Sequence, residues 1–160
     1  MTKCMIQVNI SEQSLYLTTP DDTFHYSIST AKKGIGQAFG SECTPIGRHY
    51  VRAKMGRAAD INTVFVARRS TGEIYSSELA ERYPERDWIL SRIMWLCGTE
   101  KGKNRLGSVD SMRRFIYIHG TPDSEPMGIP LSHGCIRMRN SDIIQLFDLT
   151  PPGTCVDIKL

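Results

Sequence analysis

The stretch from Tyr117 to Asp142 holds most of the side chains in this sequence that can do chemistry. It reads YIHGTPDSEPMGIPLSHGCIRMRNSD. An apolar run ends in His119-Gly120, and the four residues 132–135 follow after a spacer with three prolines and one glycine. Such a spacer favours a tight return of the chain. The return would bring His119 close to Cys135.

Cys135 has the neighbours that a nucleophilic cysteine requires, namely a base and donors for an oxyanion. His119 and His133 are both candidates for the base. Gly134 permits backbone conformations that other residues avoid, so a turn there could point its own N–H and that of Cys135 at a developing oxyanion. The residue pattern by itself favours a cysteine enzyme and specifies no substrate.

Each of these residues also has a simpler interpretation. His119 could be a hydrogen-bonded polar residue at the end of a strand. His119, His133 and Cys135 could together bind zinc, although their spacing matches no common structural zinc site. Arg137 and Arg139 could be solvated charges. These alternatives stay open on the residue pattern alone.

Composition limits the class of protein. The chain has 160 residues, 40% of them apolar, which suits one globular domain over residues 1–160. A net charge of +3 with scattered basic residues gives no reason to expect a nucleic-acid partner. No apolar run reaches the length of a membrane span or a signal peptide, and five widely spaced cysteines fit a reducing compartment. We therefore expect a cytoplasmic protein without a membrane partner.

Strand patterns surround the central stretch on both sides. Alternating or β-branched runs are typical of strands, and the first two of them, separated by a short polar segment, predict a hairpin. No alternation of strands and helices occurs, so we predict a mainly β, β-sandwich-like single domain with one or two inserted helices. The predicted strands read CMIQVNI, SLYLTT, TFHYSIST, RHYVRAKM, NTVFVAR, RRFIYIHG and the end of PPGTCVDIKL.

Two segments have helical spacing of apolar residues. The first predicts a helix from about Arg86 to Leu96. The second, NSDIIQLFDLT, predicts a short helix with Asn140 or Ser141 as its N-cap. Two Gly-rich polar segments, KKGIGQAFGSECTPIG and CGTEKGKNRLGSVDS, predict long loops of the kind that often carry function.

The segment Tyr117–Asp142 closely resembles the signature of the L,D-transpeptidase catalytic domain, also called the YkuD domain. That signature is a His-Gly pair, a spacer, then Ser/Thr-His-Gly-Cys, an apolar residue and Arg, and this chain matches it from His119 to Arg137. The TPIG at 44–47 and the Gly-rich stretch before it are also similar to the family. The resemblance implies a β-sandwich-like fold in which a lid covers a tunnel-shaped site.

The resemblance also implies roles for the matching residues. Cys135 would be the nucleophile, His119 the general base, and Gly120 would orient the His119 ring through its carbonyl. A terminal carboxylate of the substrate needs a guanidinium, which Arg137 or Arg139 beside the nucleophile, or a lid residue such as Arg86 or Arg105, could supply. Substrate or oxyanion contacts are otherwise expected at Ser132, His133, Gly134, Arg137 and Arg139.

The family reaction is acyl transfer on peptidoglycan stem peptides through a thioester, without a metal or an organic cofactor. In the cytoplasm water is the expected acceptor, so we expect an L,D-carboxypeptidase that removes D-alanine from a free, sugar-linked or nucleotide-linked murein tetrapeptide. An L,D-transpeptidase that forms 3-3 crosslinks and a non-catalytic murein-peptide binder are the alternatives. Carbapenem-type β-lactams are expected to acylate the cysteine.

Overall fold

The computed structural model of this chain describes residues 3–160, so the first two residues of the predicted 1–160 domain lie outside it. The described residues are mainly strand, with two α-helices, which confirms the predicted mainly β fold class. The elements are β1 Met5–Asn9, β2 Ser14–Thr18, β3 Thr23–Ser29, β4 Gly47–Met55, β5 Thr63–Val66, β6 Arg69–Ile74, α1 Ser77–Arg82, β7 Ile89–Gly98, β8 Tyr117–Thr121, β9 Ile136–Arg139, α2 Asn140–Leu149 and β10 Cys155–Lys159.

The strands form one sheet that closes on itself. Its order is β4-β10-β1-β2-β3-β9-β8-β7, and β7 pairs again with β4. The β1–β10 and β8–β9 pairs are parallel, and the other pairs in the ring are antiparallel. The hairpin of β5 and β6 extends the sheet beyond β7, outside the ring. This arrangement agrees with the predicted sandwich-like packing of strands around one core.

Alternation along the strands separates two hydrophobic clusters. The main cluster takes residues from almost every strand, and α2 packs against it through Ile143, Leu146 and Phe147. A smaller cluster on the opposite face of β7 and β8 contains Phe65 and Tyr117, and Cys135 packs against it. The candidate site therefore lies on the outer face of the sheet, beside the β5–β6 hairpin.

The predicted helix from Arg86 to Leu96 is wrong. Residues Ile89–Gly98 form strand β7, and the helix of this region is α1, which Ser76 caps by accepting the Leu79 N–H at 3.1 Å. Both faces of β7 are buried, and a register shift at 90–93, with Ser91 at φ 71°, interrupts its alternation. A doubly buried, bulged strand has apolar residues at helix-like spacing, which periodicity alone does not distinguish from a helix.

The predicted N-cap of α2 is also wrong. The helix begins at Asn140, its N-cap position is Arg139, and no side chain caps it. The Asn140 amide is used elsewhere, since it donates to the Thr121 carbonyl at 2.9 Å and accepts from the Ser91 hydroxyl at 2.7 Å. The Asn140 side chain is thus used in tertiary hydrogen bonds, although local capping preferences predict it at the N-cap of the helix. Neither helix in the described part of the chain has the length and apolarity to cross a membrane.

Candidate active site

The parallel pairing of β8 and β9 brings the two ends of the motif together. Ile118 pairs with Ile136, so Cys135, the residue just before β9, lies level with Tyr117. The Tyr117 N–H donates to Cys135 Sγ at 3.3 Å, and the thiol donates to the Phe115 carbonyl at 3.3 Å. The sulfur is therefore fixed against the start of β8, in the position that the compact spacer predicted.

His119 lies two residues further along β8, on the same outer face. Its ring is buried, and Nδ1 lies 2.6 Å from the Gly120 carbonyl oxygen. A carbonyl only accepts hydrogen bonds, so Nδ1 carries the proton and Nε2 of the neutral ring is an acceptor. His119 and Cys135 line one cavity of about 240 Å³. Among residues 3–160 no hydrogen bond joins the two side chains directly.

Burial keeps both groups uncharged at rest. It lowers the pKa of His119 below its ordinary 6.5, against the raising effects of the Gly120 carbonyl and Asp87. Burial also raises the pKa of the Cys135 thiol to about 12, which the Tyr117 N–H and the charge of Arg137 oppose. The pair is therefore a thiol and a neutral imidazole, and the proton must leave the sulfur as the sulfur attacks.

Gly134 makes the turn in front of the nucleophile. Its φ is +134°, a conformation that residues with a Cβ rarely adopt, and a Cβ there would lie 3.3 Å from the Cys43 carbonyl oxygen. Buried Ser132 closes the turn, because its hydroxyl donates to the Cys135 carbonyl at 2.6 Å and accepts the Gly134 N–H at 3.2 Å. Ser132, which was expected to contact the substrate or the oxyanion, thus holds the turn in this structure.

Two residues outside the motif hold the site, and the sequence prediction gave neither of them a role in it. Thr44 is buried, accepts the Ala31 N–H at 2.9 Å and donates to the Gly134 carbonyl at 2.9 Å. Asn140 packs against Gly120, where an added Cβ would lie 2.5 Å from its Oδ1. The TPIG motif was a signal for Thr44, but the amide of Asn140 was misassigned to helix capping.

Of the four arginines proposed to bind a substrate carboxylate, two line the cavities around the site and two do not. Arg137 lines the Cys135 cavity, is buried, and pairs with half-exposed Asp87 at 3.2 Å. Arg86 lines the neighbouring cavity and pairs with Glu73 at 2.8 Å. Arg139 is exposed and lines neither cavity. Arg105 is exposed too and lies on the other polar loop, away from both.

His133 is exposed where three cavities meet. One is the Cys135 cavity, a second of about 200 Å³ is lined by the segment 84–88, and a third of about 220 Å³ is lined by Phe39 and Phe115. The three form a cleft along the outer face of the sheet. The segment 84–88, which follows α1 and contains Arg86, borders this cleft, whereas the loop of Arg105 does not. Of the two segments named for a lid residue, 84–88 therefore occupies the position expected for a lid.

The zinc interpretation has no support in the geometry. His119 is buried while His133 is exposed, and the parts of the chain that the structure describes contain no group of three or more His, Cys, Asp or Glu side chains arranged around a metal position. The arrangement around Cys135 suits acyl transfer, since a thiol, a neutral imidazole and backbone donors share one cleft.

Comparison with known proteins assigns the family. The model of the YkuD family, the L,D-transpeptidase catalytic domain, matches residues 5–158, so the chain belongs to this family. The probable L,D-transpeptidase YcfS of Escherichia coli is 27% identical over 158 residues, which are 96% of this chain and 43% of that protein. The probable L,D-transpeptidase ErfK/SrfK of Salmonella typhimurium is 51% identical over 45 residues, 28% of this chain and 15% of that protein.

Solved structures agree on the fold. L,D-transpeptidase 3 from Mycobacterium tuberculosis, in complex with a faropenem-derived adduct, superposes with a TM-score of 0.60 at 15% identity, over 98% of this chain and 60% of that one. The chain thus spans only part of the length of the proteins that it resembles. It is the catalytic domain of an L,D-transpeptidase family member, which agrees with the resemblance in the sequence.

Proposed function

We propose that this domain is a cysteine acyl-transfer enzyme of peptidoglycan stem peptides whose main activity removes D-alanine from murein tetrapeptides in the cytoplasm. The observation that supports it most is the common cavity of Cys135 and His119, with the imidazole buried and held by the Gly120 carbonyl. An Nε2 acceptor beside a thiol is what a nucleophile–base pair requires. A non-catalytic binder would have no use for such a pair.

In the proposed reaction the Cys135 sulfur attacks the carbonyl carbon of the third residue of the stem peptide while its proton passes to His119 Nε2. The C–N bond to the terminal D-alanine breaks as His119 returns the proton to the leaving amine, and a thioester remains. His119 then takes a proton from water, whose oxygen attacks the thioester. The C–S bond breaks as His119 returns this proton to the sulfur, which restores the Cys135 thiol, and the tripeptide leaves as a carboxylate after its acid proton passes to solvent.

Backbone donors would stabilise the oxyanion of both steps. The Cys135 N–H and the Gly134 N–H are the proposed pair, with His133 at the rim of the cleft as a substrate contact. At rest the Gly134 N–H donates to the Ser132 hydroxyl at 3.2 Å, so Ser132 would have to give up that bond when the oxyanion forms. Loss of one such donor typically costs about 10²–10³ in rate.

Arg137 is the proposed partner of the terminal carboxylate. It is the buried guanidinium of the Cys135 cavity, and its present partner Asp87 is half-exposed, so a bound carboxylate can replace Asp87. Amidation of the substrate C-terminus should then lower kcat/KM strongly. Equal turnover of the acid and the amide would rule this role out. Arg139, which lines neither cavity, is the matched control for Arg137→Gln.

Hydrolysis is the proposed outcome because the thioester needs only water, at about 55 M, whereas transfer needs an ordered amine. Cytoplasmic murein fragments, whether free, sugar-linked or nucleotide-linked, would supply the tetrapeptide. Crosslinking by L,D-transpeptidation is the second candidate. It is favoured by the third cavity, lined by Phe39 and Phe115, which adjoins the Cys135 cavity and could take the amine-bearing side chain of an acceptor.

Mass spectrometry of disaccharide-tetrapeptide incubated with the protein separates these functions. Loss of one alanine without dimer formation is expected, and Cys135→Ala should abolish it. A crosslinked dimer would establish transpeptidation instead. An unchanged substrate with the unmodified protein would contradict both activities and favour a binding module.

We also propose that β-lactams inhibit this protein by acylating Cys135. The faropenem-derived adduct in the Mycobacterium tuberculosis relative shows that a related domain accepts such compounds. A carbapenem should therefore acylate Cys135, and intact-mass measurement should find one added inhibitor per chain. Cys155→Ala should keep the adduct, because Cys155 is an exposed cysteine of β10 outside the cleft. An adduct that persists in Cys135→Ala would place the modification on another residue.

A further inference from the structure

Arg114 lies in the turn just before β8, and its neighbour in sequence is a hydrogen-bond partner of the Cys135 thiol. Phe115, its neighbour, provides the carbonyl to which Cys135 Sγ donates at 3.3 Å. The Arg114 side chain lines both the Cys135 cavity and the adjoining cavity of about 220 Å³. It is thus a cation on the wall of the cleft, and the proposed mechanism gives it no role.

The guanidinium of Arg114 holds the loop 36–43. One terminal nitrogen donates to the carbonyls of Gly36 and Gln37 at 3.2 and 3.3 Å. The other donates to the Ser41 hydroxyl at 3.2 Å and to the Cys43 carbonyl at 2.7 Å. The planar fork of an arginine suits such an array, and a lysine ammonium would reach fewer of these acceptors at once.

The loop that Arg114 holds packs against the turn in front of the nucleophile. The Cys43 carbonyl lies so close to Gly134 that a Cβ there would be 3.3 Å away. The next residue, Thr44, donates its hydroxyl hydrogen bond to the Gly134 carbonyl at 2.9 Å. A shift of this loop would therefore move the peptide groups on either side of Gly134, including the N–H of Cys135.

The charge of Arg114 is not neutralised by a carboxylate. Arg137, the other guanidinium of the cavity, pairs with Asp87 at 3.2 Å. No carboxylate oxygen within residues 3–160 lies within salt-bridge distance of Arg114, whose partners are carbonyls and a hydroxyl. The titratable and charged groups around the sulfur in this cavity are Asp87, Arg114, Tyr117, His119, His133 and Arg137.

We propose that Arg114 is a positioning residue for the reaction at Cys135, which rests on the nucleophilic role proposed above. Its fork fixes the loop 36–43 against the Gly134 turn, and its uncompensated positive charge favours the thiolate that forms when the thiol proton passes to His119. Burial raises the pKa of Cys135 to about 12, and the charges of Arg137 and Arg114 act in the opposite direction. Asp87 offsets the effect of Arg137, whereas no carboxylate oxygen within residues 3–160 lies within salt-bridge distance of Arg114.

Alkylation of Cys135 in the full chain tests this without any murein substrate. The variants are Arg114→Gln, Arg114→Lys and, as a matched loss of charge, Arg113→Gln, whose side chain is exposed. The probes are neutral iodoacetamide and anionic iodoacetate, with peptide mapping by mass spectrometry to follow Cys135 alone. Thermal unfolding of each variant checks that it folds.

Arg114→Gln should lower the iodoacetamide rate constant at Cys135 about tenfold at each pH between 7 and 9, the effect of about one pKa unit. It should also lower the ratio of iodoacetate to iodoacetamide reactivity, which a purely structural loosening would not do. Arg114→Lys should keep the rate within about threefold of the unmodified protein, yet lower the kcat of D-alanine release because the loop loses its fork.

Unchanged or faster alkylation in Arg114→Gln, with an unchanged reagent ratio, would overturn the proposal. Equal losses in Arg114→Gln and Arg113→Gln would do the same, because they would indicate a general effect of net charge. If Arg114→Gln does not fold, Arg114→Lys decides the positioning part, because an unchanged kcat of D-alanine release in that variant would overturn it. A protein that releases no D-alanine but shows these alkylation differences would contradict the proposed function and leave the role of Arg114 in place.

Discussion

At the scale of single residues, Thr44 illustrates how a side chain far from the motif in sequence controls the nucleophile. Its hydroxyl uses both its donor and its acceptor, to the Gly134 carbonyl and from the Ala31 N–H, and the residue is fully buried. A buried polar group left without a partner costs about 1–3 kcal/mol. The turn before Cys135 is therefore held by the Thr44 hydroxyl as well as by that of Ser132.

Thr44→Val should lower the free energy of unfolding by about 1–3 kcal/mol, because valine has the same shape but leaves the Gly134 carbonyl and the Ala31 N–H unpaired. The variant should also lower the kcat of D-alanine release. Urea denaturation and steady-state kinetics measure the two effects. Thr44→Ser, which keeps the hydroxyl, is the control and should retain most of the activity; a valine variant as stable and active as that control would contradict the assignment.

The motif residues were predictable from sequence and their supports were not. His119, Gly120 and Cys135 lie in one contiguous pattern, so the structure brings together what the compact spacer suggested. Thr44 and Arg114 reach the site only through the closure of the sheet and the packing of two loops. Hydrogen bonds over such sequence distances leave no local periodicity, and only the TPIG motif indicated one of the two residues.

A second buried histidine gives the protein a pH-dependent stability. His49 bonds the Gly47 carbonyl through Nδ1 at 3.0 Å and the Ser111 hydroxyl through Nε2 at 2.8 Å. Burial lowers its pKa from 6.5 to about 4. Below pH 6.5 the unfolded chain takes up a proton that the folded chain excludes, so the free energy of unfolding decreases as the pH falls towards 4.

From pH 7 to pH 5, His49 should remove about 2 kcal/mol from the free energy of unfolding. His49→Gln does not titrate in this range, so its loss of stability between the two pH values should be smaller by about that amount. Burial also lowers the pKa of His119, which acts in the same direction in both proteins, so the difference isolates His49. Urea denaturation at the two pH values makes the comparison, and equal losses would show that His49 is not held neutral.

At the scale of elements, the tip of the β5–β6 hairpin is anchored on the outer face of the sheet by Arg68. Ala67 and Arg68, at its tip, both have positive φ, 49° and 65°. The Arg68 guanidinium lies 4.6 Å from the Trp95 ring centroid and 5.0 Å from that of Phe115, and it donates to the Tyr117 hydroxyl at 3.0 Å. The hairpin thereby covers the outer face of β7, which explains why that strand is buried on both sides.

Arg68→Ala should loosen the hairpin, because cation–π contacts of a partly desolvated guanidinium contribute about 0.5–2 kcal/mol. Hydrogen exchange should become faster over residues 63–74 and stay unchanged in β1 and β2. Arg69→Ala removes the same charge from an exposed position of the same hairpin and is the control. Identical exchange in the two variants would mean that Arg68 does not anchor the hairpin.

At the scale of the whole molecule, the closed ring brings distant parts of the chain side by side. The last strand, β10, lies between β1 and β4, and β4 pairs in turn with β7. Strand patterns predicted most of these elements correctly, but a pattern of alternation states only which face of a strand is buried. Which strand is its neighbour depends on closure of the sheet, so the ring order could not be predicted from the sequence.

Removal of the short strand β10 should therefore destabilise the whole sheet. A chain that ends at Thr154 loses Val156 and Ile158, both fully buried, and exposes the unpaired edges of β1 and β4. We expect it to lose cooperative urea unfolding and to associate in size-exclusion chromatography. Removal of Leu160 alone, which is 68% exposed, should leave unfolding unchanged. His119 on β8 and Cys135 just before β9 lie away from β10 in the ring order. A truncated chain that still unfolds cooperatively would therefore mean that the site half of the sheet is stable without closure.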